Sequence, residues 1–183
     1  MQEKLHMTRH PGIDPPAFVT RIEGIEGEYV HLESSYCYPR GGGQPGDTGN
    51  LESEGGSSSG FGEVLPGEML LHPVESPRLF EVGGTVTCAI DVERRNGHAK
   101  MHTAQHIVSA LAEDIWGAET VGNQLTVESS RVDLLFEDKS LFDPDELVNA
   151  TNSIISSDLV VDVHEWERSR IQAHEQMRHT KFM

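Results

Sequence analysis

His102 and His106 stand four residues apart in Met101-His102-Thr103-Ala104-Gln105-His106-Ile107. On a helix, which turns about 100° per residue, they lie about 40° apart, so both imidazoles can reach one ion. Two imidazoles at this spacing suit zinc. A zinc protease of the His-Glu-x-x-His type needs glutamate directly after the first histidine as general base. Thr103 holds that position, which disfavours peptide hydrolysis. The chain has ten histidines, so a pair four apart also arises by chance on a solvated helix face.

A second candidate is the stretch Tyr38-Pro39-Arg40-Gly41-Gly42-Gly43-Gln44-Pro45-Gly46-Asp47-Thr48-Gly49. Its three successive glycines permit positive φ and close approach of the backbone to another chain. Amides exposed in such a loop can hold an anion or a nucleic-acid backbone. The other reading is a tight structural turn that packs two halves of the molecule together. Both readings stand for Gln44 and Asp47. Of the two cysteines, Cys88 falls in the apolar phase of a strand and reads as core, whereas Cys37 is either exposed or packed.

The elements that position these residues can be read from periodicity. Apolar alternation from Phe18 to Glu33, broken by Glu26-Gly27-Glu28, predicts a hairpin. Glu54 to Gly60 reads as a flexible connection between strands. Strand material follows at Val64–Val74 and Thr85–Asp91. From about Asn96 to Trp116 the pattern turns helical, with Met101, Ala104, Val108, Leu111 and Ile115 forming one apolar stripe. The histidine pair lies roughly 140° from that stripe and so faces away from the core. Asn96 is the expected N-cap and Gly117 the stop. Two strands, Val121–Val127 and Arg131–Phe136, come next. Asp143-Pro144-Asp145-Glu146 marks the start of a second helix. A strand at Val160–Val163 and a short helix at Ser169–Arg178 complete the chain. The expected class is α+β. A small antiparallel, barrel-like unit at residues 1–93 precedes a two-layer α/β core at residues 94–183, a sheet with helices on one face.

Composition narrows the class. The 183 residues hold 36% hydrophobic residues and no run of about 18 apolar ones, so no membrane span is expected. The polar N-terminus lacks a secretory apolar region, and two cysteines do not make a disulfide framework, so the default location is the cytoplasm. The net charge is −16, with four lysines and ten arginines against thirty acids. Nucleic-acid binders are usually basic. Large acidic surfaces also suit very high salt, where repulsion is screened within about 3 Å at 1 M, and a halophilic source is the expectation that reconciles the two.

The sequence Arg95…Met101-His102-Thr103-Ala104-Gln105-His106-Ile107-Val108-Ser109 resembles the zinc-binding helix of the alanyl-tRNA synthetase editing domain and its free-standing relatives, the AlaX proteins. The stretch from Tyr38 to Gly49 is similar to the glycine-rich motif of the same family. Arg131-Val132-Asp133-Leu134 and the segment around Trp166 follow in family-like order. The resemblance spans roughly residues 17 to 180.

The resemblance implies hydrolysis of the ester that joins serine or glycine wrongly to alanine tRNA, with zinc held in part by His102 and His106. Thr103 and, more weakly, Gln124 are candidate partners for the substrate's polar groups. Gly41, Gly42, Gly43, Gln44 and Asp47 are the candidate tRNA-binding or structural loop. The partner is tRNA(Ala) charged with Ser or Gly. A non-catalytic tRNA-binding relative and a threonyl-type editing domain acting on Ser-tRNA(Thr) are the alternatives. The family completes its metal site with a later Cys-Gly-Gly-Thr-His-like segment, which this sequence does not contain. The leading expectation is a fragment ending before that segment. A truncated, inactive member, or substitution by His98, His174 or His179, are the others. On the leading expectation zinc binds weakly and deacylation is slow.

Overall fold

The computed structural model describes residues 2–7, 15, 17–162 and 164–173. The chain divides into two compact units, residues 1–100 with 125–129, and residues 101–124 with 130–183. The class is α+β, with antiparallel sheets and helices.

The first unit contains β1 (Glu3–Lys4), β2 (Phe18–Glu26), β3 (Tyr29–Leu32), β4 (Ser34–Ser35), β5 (Gly49–Ser53), β6 (Ser58–Phe61), β7 (His72–Pro73) and β8 (Thr85–Ile90). Six of them form one antiparallel sheet in the order β6-β5-β8-β2-β3-β7, and β1 pairs with β4 in parallel. Side-chain alternation explains the sheet's buried face. Phe18, Thr20 and Ile22 of β2 point inward, as do Val86, Cys88 and Ile90 of β8. The apolar ones of these, together with Val30, Leu32, Leu51, Val64 and Leu70, belong to the core. The hairpin expected at Phe18–Glu33 is β2–β3, with Glu26 opposite Tyr29.

The sheet is not a closed barrel. Its edge strands meet at a single bridge, Phe61 with Val74, where the Gly62 amide donates to the Pro73 carbonyl at 2.8 Å. The stretch Glu54–Gly60 is not a flexible connection. Residues 54–57 make a tight turn, closed by Ser53 donating to the Ser57 carbonyl at 2.8 Å, and Ser58 to Gly60 run within β6. A Cβ on Gly60 would sit 3.3 Å from the Glu75 carboxylate, and Ser59 accepts the Ser76 amide at 3.0 Å. Of the strand material expected at Val64–Val74, β7, the bridge between Leu65 and Leu71 and the bridge of Val74 to Phe61 form.

The helix α1 (Val92–Trp116) starts earlier than Asn96. Asp91 intervenes as the cap: its carboxylate accepts the Arg94 amide at 3.0 Å and its carbonyl accepts the Arg95 amide at 3.0 Å. Gly117, at φ 66°, ends the helix as expected, donating to the Glu113 carbonyl at 2.8 Å. The apolar stripe is only half-buried. The buried positions of α1 are His98, Gln105 and Ala112, spaced by seven.

The second unit adds β9 (Glu119–Gln124) and β10 (Arg131–Leu135), an antiparallel ribbon with a register shift between Asp133 and Leu134. It also holds α2 (Pro144–Ser156) and α3 (Arg168–Gln172). Asp143 caps α2 by accepting the Asp145 and Glu146 amides. Trp116, Phe136 and Phe142 pack ring on ring, with centroids 5.5 to 5.8 Å apart. The expected strand at Val160–Val163 does not form over Val160, Val161 and Asp162, which are exposed and irregular; Val163 lies outside the described residues. α3 covers the first part of the expected Ser169–Arg178 helix, whose remainder from residue 174 lies outside them. No helix among the described residues is long and apolar enough to cross a membrane.

Candidate functional site

The glycine-rich stretch is a built loop of the first unit. Gly41 and Gln44 exchange two backbone hydrogen bonds of 3.0 Å around Gly42 and Gly43, which take φ 58° and 79°. Two positive φ angles in a two-residue hairpin turn are the reason for the Gly-Gly pair. Gly46 and Gly49 meet a different need: a Cβ at either would lie 2.1 Å from a backbone oxygen, of Val64 and Ala89 respectively. Gln44 is buried, and the Gly43 carbonyl accepts the Leu125 amide at 2.9 Å.

Asp47 is the centre of this loop. Its carboxylate is buried, accepts the Tyr38 amide at 2.8 Å, and is gripped by the Arg95 guanidinium through Nε at 2.8 and 3.0 Å and through Nη2. Arg95 also donates to the Tyr36 carbonyl at 2.9 Å. Nearby, Glu63 receives Arg40 Nε at 3.0 Å and Arg94 Nη2 at 3.1 Å. Three of the chain's ten arginines therefore gather around this loop in an otherwise acidic protein. His98 is buried beside them. Burial lowers its pKa, the Arg94 charge lowers it further, and Glu63 and Asp47 oppose the shift.

The histidine pair belongs to the second unit. The His102 and His106 rings stack with centroids 5.0 Å apart and planes 14° apart. His102 is half-buried and His106 exposed. Burial, and then the neighbouring His106, lower the pKa of His102. Both effects favour the neutral imidazole, the form that ligates a metal. Among the described residues no group of three or more His, Cys, Asp or Glu is arranged to hold a metal ion. Two imidazoles are fewer than the three or four protein ligands zinc normally takes. His98 does not join them, and His174 and His179 lie outside the described residues.

Thr103 is exposed next to the pair on α1, and Gln124 is exposed at the end of β9 opposite Arg131. One buried polar group escaped the sequence reading. Gln105 donates to Ser109 Oγ at 2.7 Å, and Thr120 donates to the same oxygen at 2.8 Å. Its i,i+4 spacing to Ser109 was the available signal. The arginine cluster had none, since the burial of Asp47 and its partner Arg95, 48 residues away, are set by tertiary packing.

The chain is 36% identical over 149 residues to the alanyl-tRNA editing protein AlaX-M of Saccharolobus solfataricus, covering 80% of this chain and 62% of that protein. It is 36% identical over 129 residues to AlaX-M of Methanosarcina mazei, covering 66% and 51%. It is 35% identical over 122 residues to the alanine–tRNA ligase of Pyrococcus abyssi, covering 64% of this chain and 13% of the ligase. The chain thus spans less than two thirds of the length of these relatives. No protein-family model matches it. The histidine helix and the glycine-rich loop thus stand in a chain that is similar, over four fifths of its length, to an AlaX-type alanyl-tRNA editing protein.

Proposed function

We propose that the chain is a trans-editing aminoacyl-tRNA hydrolase that deacylates tRNA(Ala) mischarged with serine or glycine. The observation that carries this reading is its match to proteins named for alanyl-tRNA editing over four fifths of its length. The chemical need is clear. A pocket built for alanine cannot exclude the smaller glycine and rejects an added hydroxyl only weakly, so a second site must remove the error.

In this reading residues 1–93 form the glycine-motif domain, barrel-like through the Phe61–Val74 bridge, and residues 94–183 the editing domain. Thr103 and Gln124 meet the polar groups of the substrate. Gly41 to Gly43, with Gln44 and Asp47, shape the loop presented to tRNA. Zinc is the ion assigned to His102 and His106. The work is done in the cytoplasm. The acidic surface marks a halophilic protein, whose unfolding midpoint rises with potassium chloride; a midpoint indifferent to salt contradicts that part.

The two-imidazole pair favours one second reading, a tRNA-binding relative without catalysis. Deacylation assays with Ser-tRNA(Ala), Gly-tRNA(Ala), Ala-tRNA(Ala) and Ser-tRNA(Thr) separate them. The editing reading requires loss of serine or glycine from tRNA(Ala), with Ala-tRNA(Ala) spared. Binding of tRNA(Ala) without hydrolysis supports the second reading. Preference for Ser-tRNA(Thr) assigns the chain to threonyl-type editing.

A further inference from the structure

Cys37 and Cys88 are both free thiols with no solvent exposure, and their sulfurs lie 3.9 Å apart. Cys37 follows β4, while Cys88 sits in mid-sheet on β8, opposite Phe18 of β2 and Leu51 of β5. Beside the thiols lies a buried polar cluster. His72 Nδ1 is 3.1 Å from the Val30 carbonyl, and its Nε2 is 3.2 Å from Ser35 Oγ, which accepts the Cys37 amide at 3.1 Å. A carbonyl only accepts, so Nδ1 carries the proton and Nε2 of the neutral ring is left to accept one. A base thus stands by two adjacent thiols inside an otherwise apolar core.

The two thiols are not equivalent. Burial pushes the Cys37 thiol up, but the hydrogen bond from Cys88, the hydrogen bond and charge His72 offers once it holds the proton, and Ser35 together bring it down to about 6. The contact with Cys37 and burial push the Cys88 thiol well up. Cys37 is the nucleophile of the pair, since the thiolate is the reactive form.

We propose that Cys37 and Cys88 are an oxidation site that closes to an intramolecular disulfide in the presence of hydrogen peroxide. Cys37 passes its proton to His72, and its sulfur attacks one peroxide oxygen. The O–O bond breaks, and the departing hydroxide takes the proton from His72 and leaves as water. Cys37 is now a sulfenic acid. Cys88 sulfur attacks it, the S–O bond breaks, and the hydroxyl leaves as a second water with the Cys88 proton. Two thiols lose two electrons and the peroxide gains them. The sulfurs must close from 3.9 Å to about 2.05 Å. The bond ties the residue that precedes the glycine-rich loop to the strand that runs into α1, both within the first unit.

The test treats the full chain, folded, with hydrogen peroxide, then unfolds it with iodoacetamide and weighs it. The expected product is a monomer two hydrogens lighter that takes up no alkyl group and takes up two after reduction with a phosphine. C37S and C88A cannot give it. C88A is expected to form a Cys37 sulfenic acid trapped by dimedone, and C37S to trap far less. Thermal unfolding of the oxidised wild type is expected above that of the reduced chain. Two alkylated cysteines after peroxide, a disulfide only between chains, or equal dimedone trapping in both variants overturns the proposal.

Discussion

The Asp47 carboxylate and the Arg95 guanidinium form a buried ion pair that fastens the glycine-rich loop to the first turn of α1. Taking a pair out of water is costly, and removing one partner leaves the other charge uncompensated. Asp47→Ala is therefore expected to destabilise the chain by about 3–5 kcal/mol. Asp47→Asn, which keeps an acceptor for the Tyr38 amide, is expected to cost less. Urea unfolding of the three proteins checks the order. An Asp47→Ala variant as stable as wild type contradicts a load on this pair.

Close backbone approach makes Gly46 and Gly49 intolerant of any side chain. Alanine at either places Cβ 2.1 Å from a carbonyl oxygen, so the backbone must shift. Each substitution is expected to cost at least about 1–3 kcal/mol, the usual range for overpacking. Gly55→Ala serves as control, because its Cβ meets nothing nearer than Ser53 Oγ at 3.8 Å. Thermal unfolding should rank Gly55→Ala near wild type and the other two well below it. Similar midpoints for all three would show that the loop is not held as described.

His102 titrates below an ordinary imidazole because burial, and then His106, oppose its charge. The folded chain therefore binds this proton less readily than the unfolded chain. The stability tied to neutral His102 is complete above the unfolded value, about 6.5, and is lost as pH falls through the lowered folded value. His106→Ala removes the Coulombic part and leaves the burial part. In metal-free buffer, proton NMR should show His102 titrating higher in this variant than in wild type, yet still below the ordinary value. No change, or a fall, contradicts mutual repulsion within the pair.

The sequence made the strongly patterned parts legible. The β2–β3 hairpin, β8, the Gly117 stop and the Asp143-Pro144 helix start follow from local chemistry that no distant contact overrides. Errors arose where tertiary partners decide. Asp91 outcompeted Asn96 as cap because β8 ends directly before it. The Gly-Ser stretch joined a ladder since Leu51 and Ser59 pair across it, and the buried Gln105 donates to Ser109, whose hydroxyl oxygen also accepts from Thr120. In the candidate site, the spacing of His102 and His106 placed both on neighbouring positions of one helix, while the stacking of their rings was not read from it. The structural use of Asp47 was not legible either, since its partner Arg95 lies 48 residues away.

The rate of serine release from Ser-tRNA(Ala) by wild type and by the H102A/H106A variant, against spontaneous hydrolysis, bears most directly on the editing proposal. The account predicts release above the spontaneous rate by wild type, none above it by the double variant, and Ala-tRNA(Ala) left intact by both. Wild type no faster than spontaneous hydrolysis, or a double variant as fast as wild type, would contradict it.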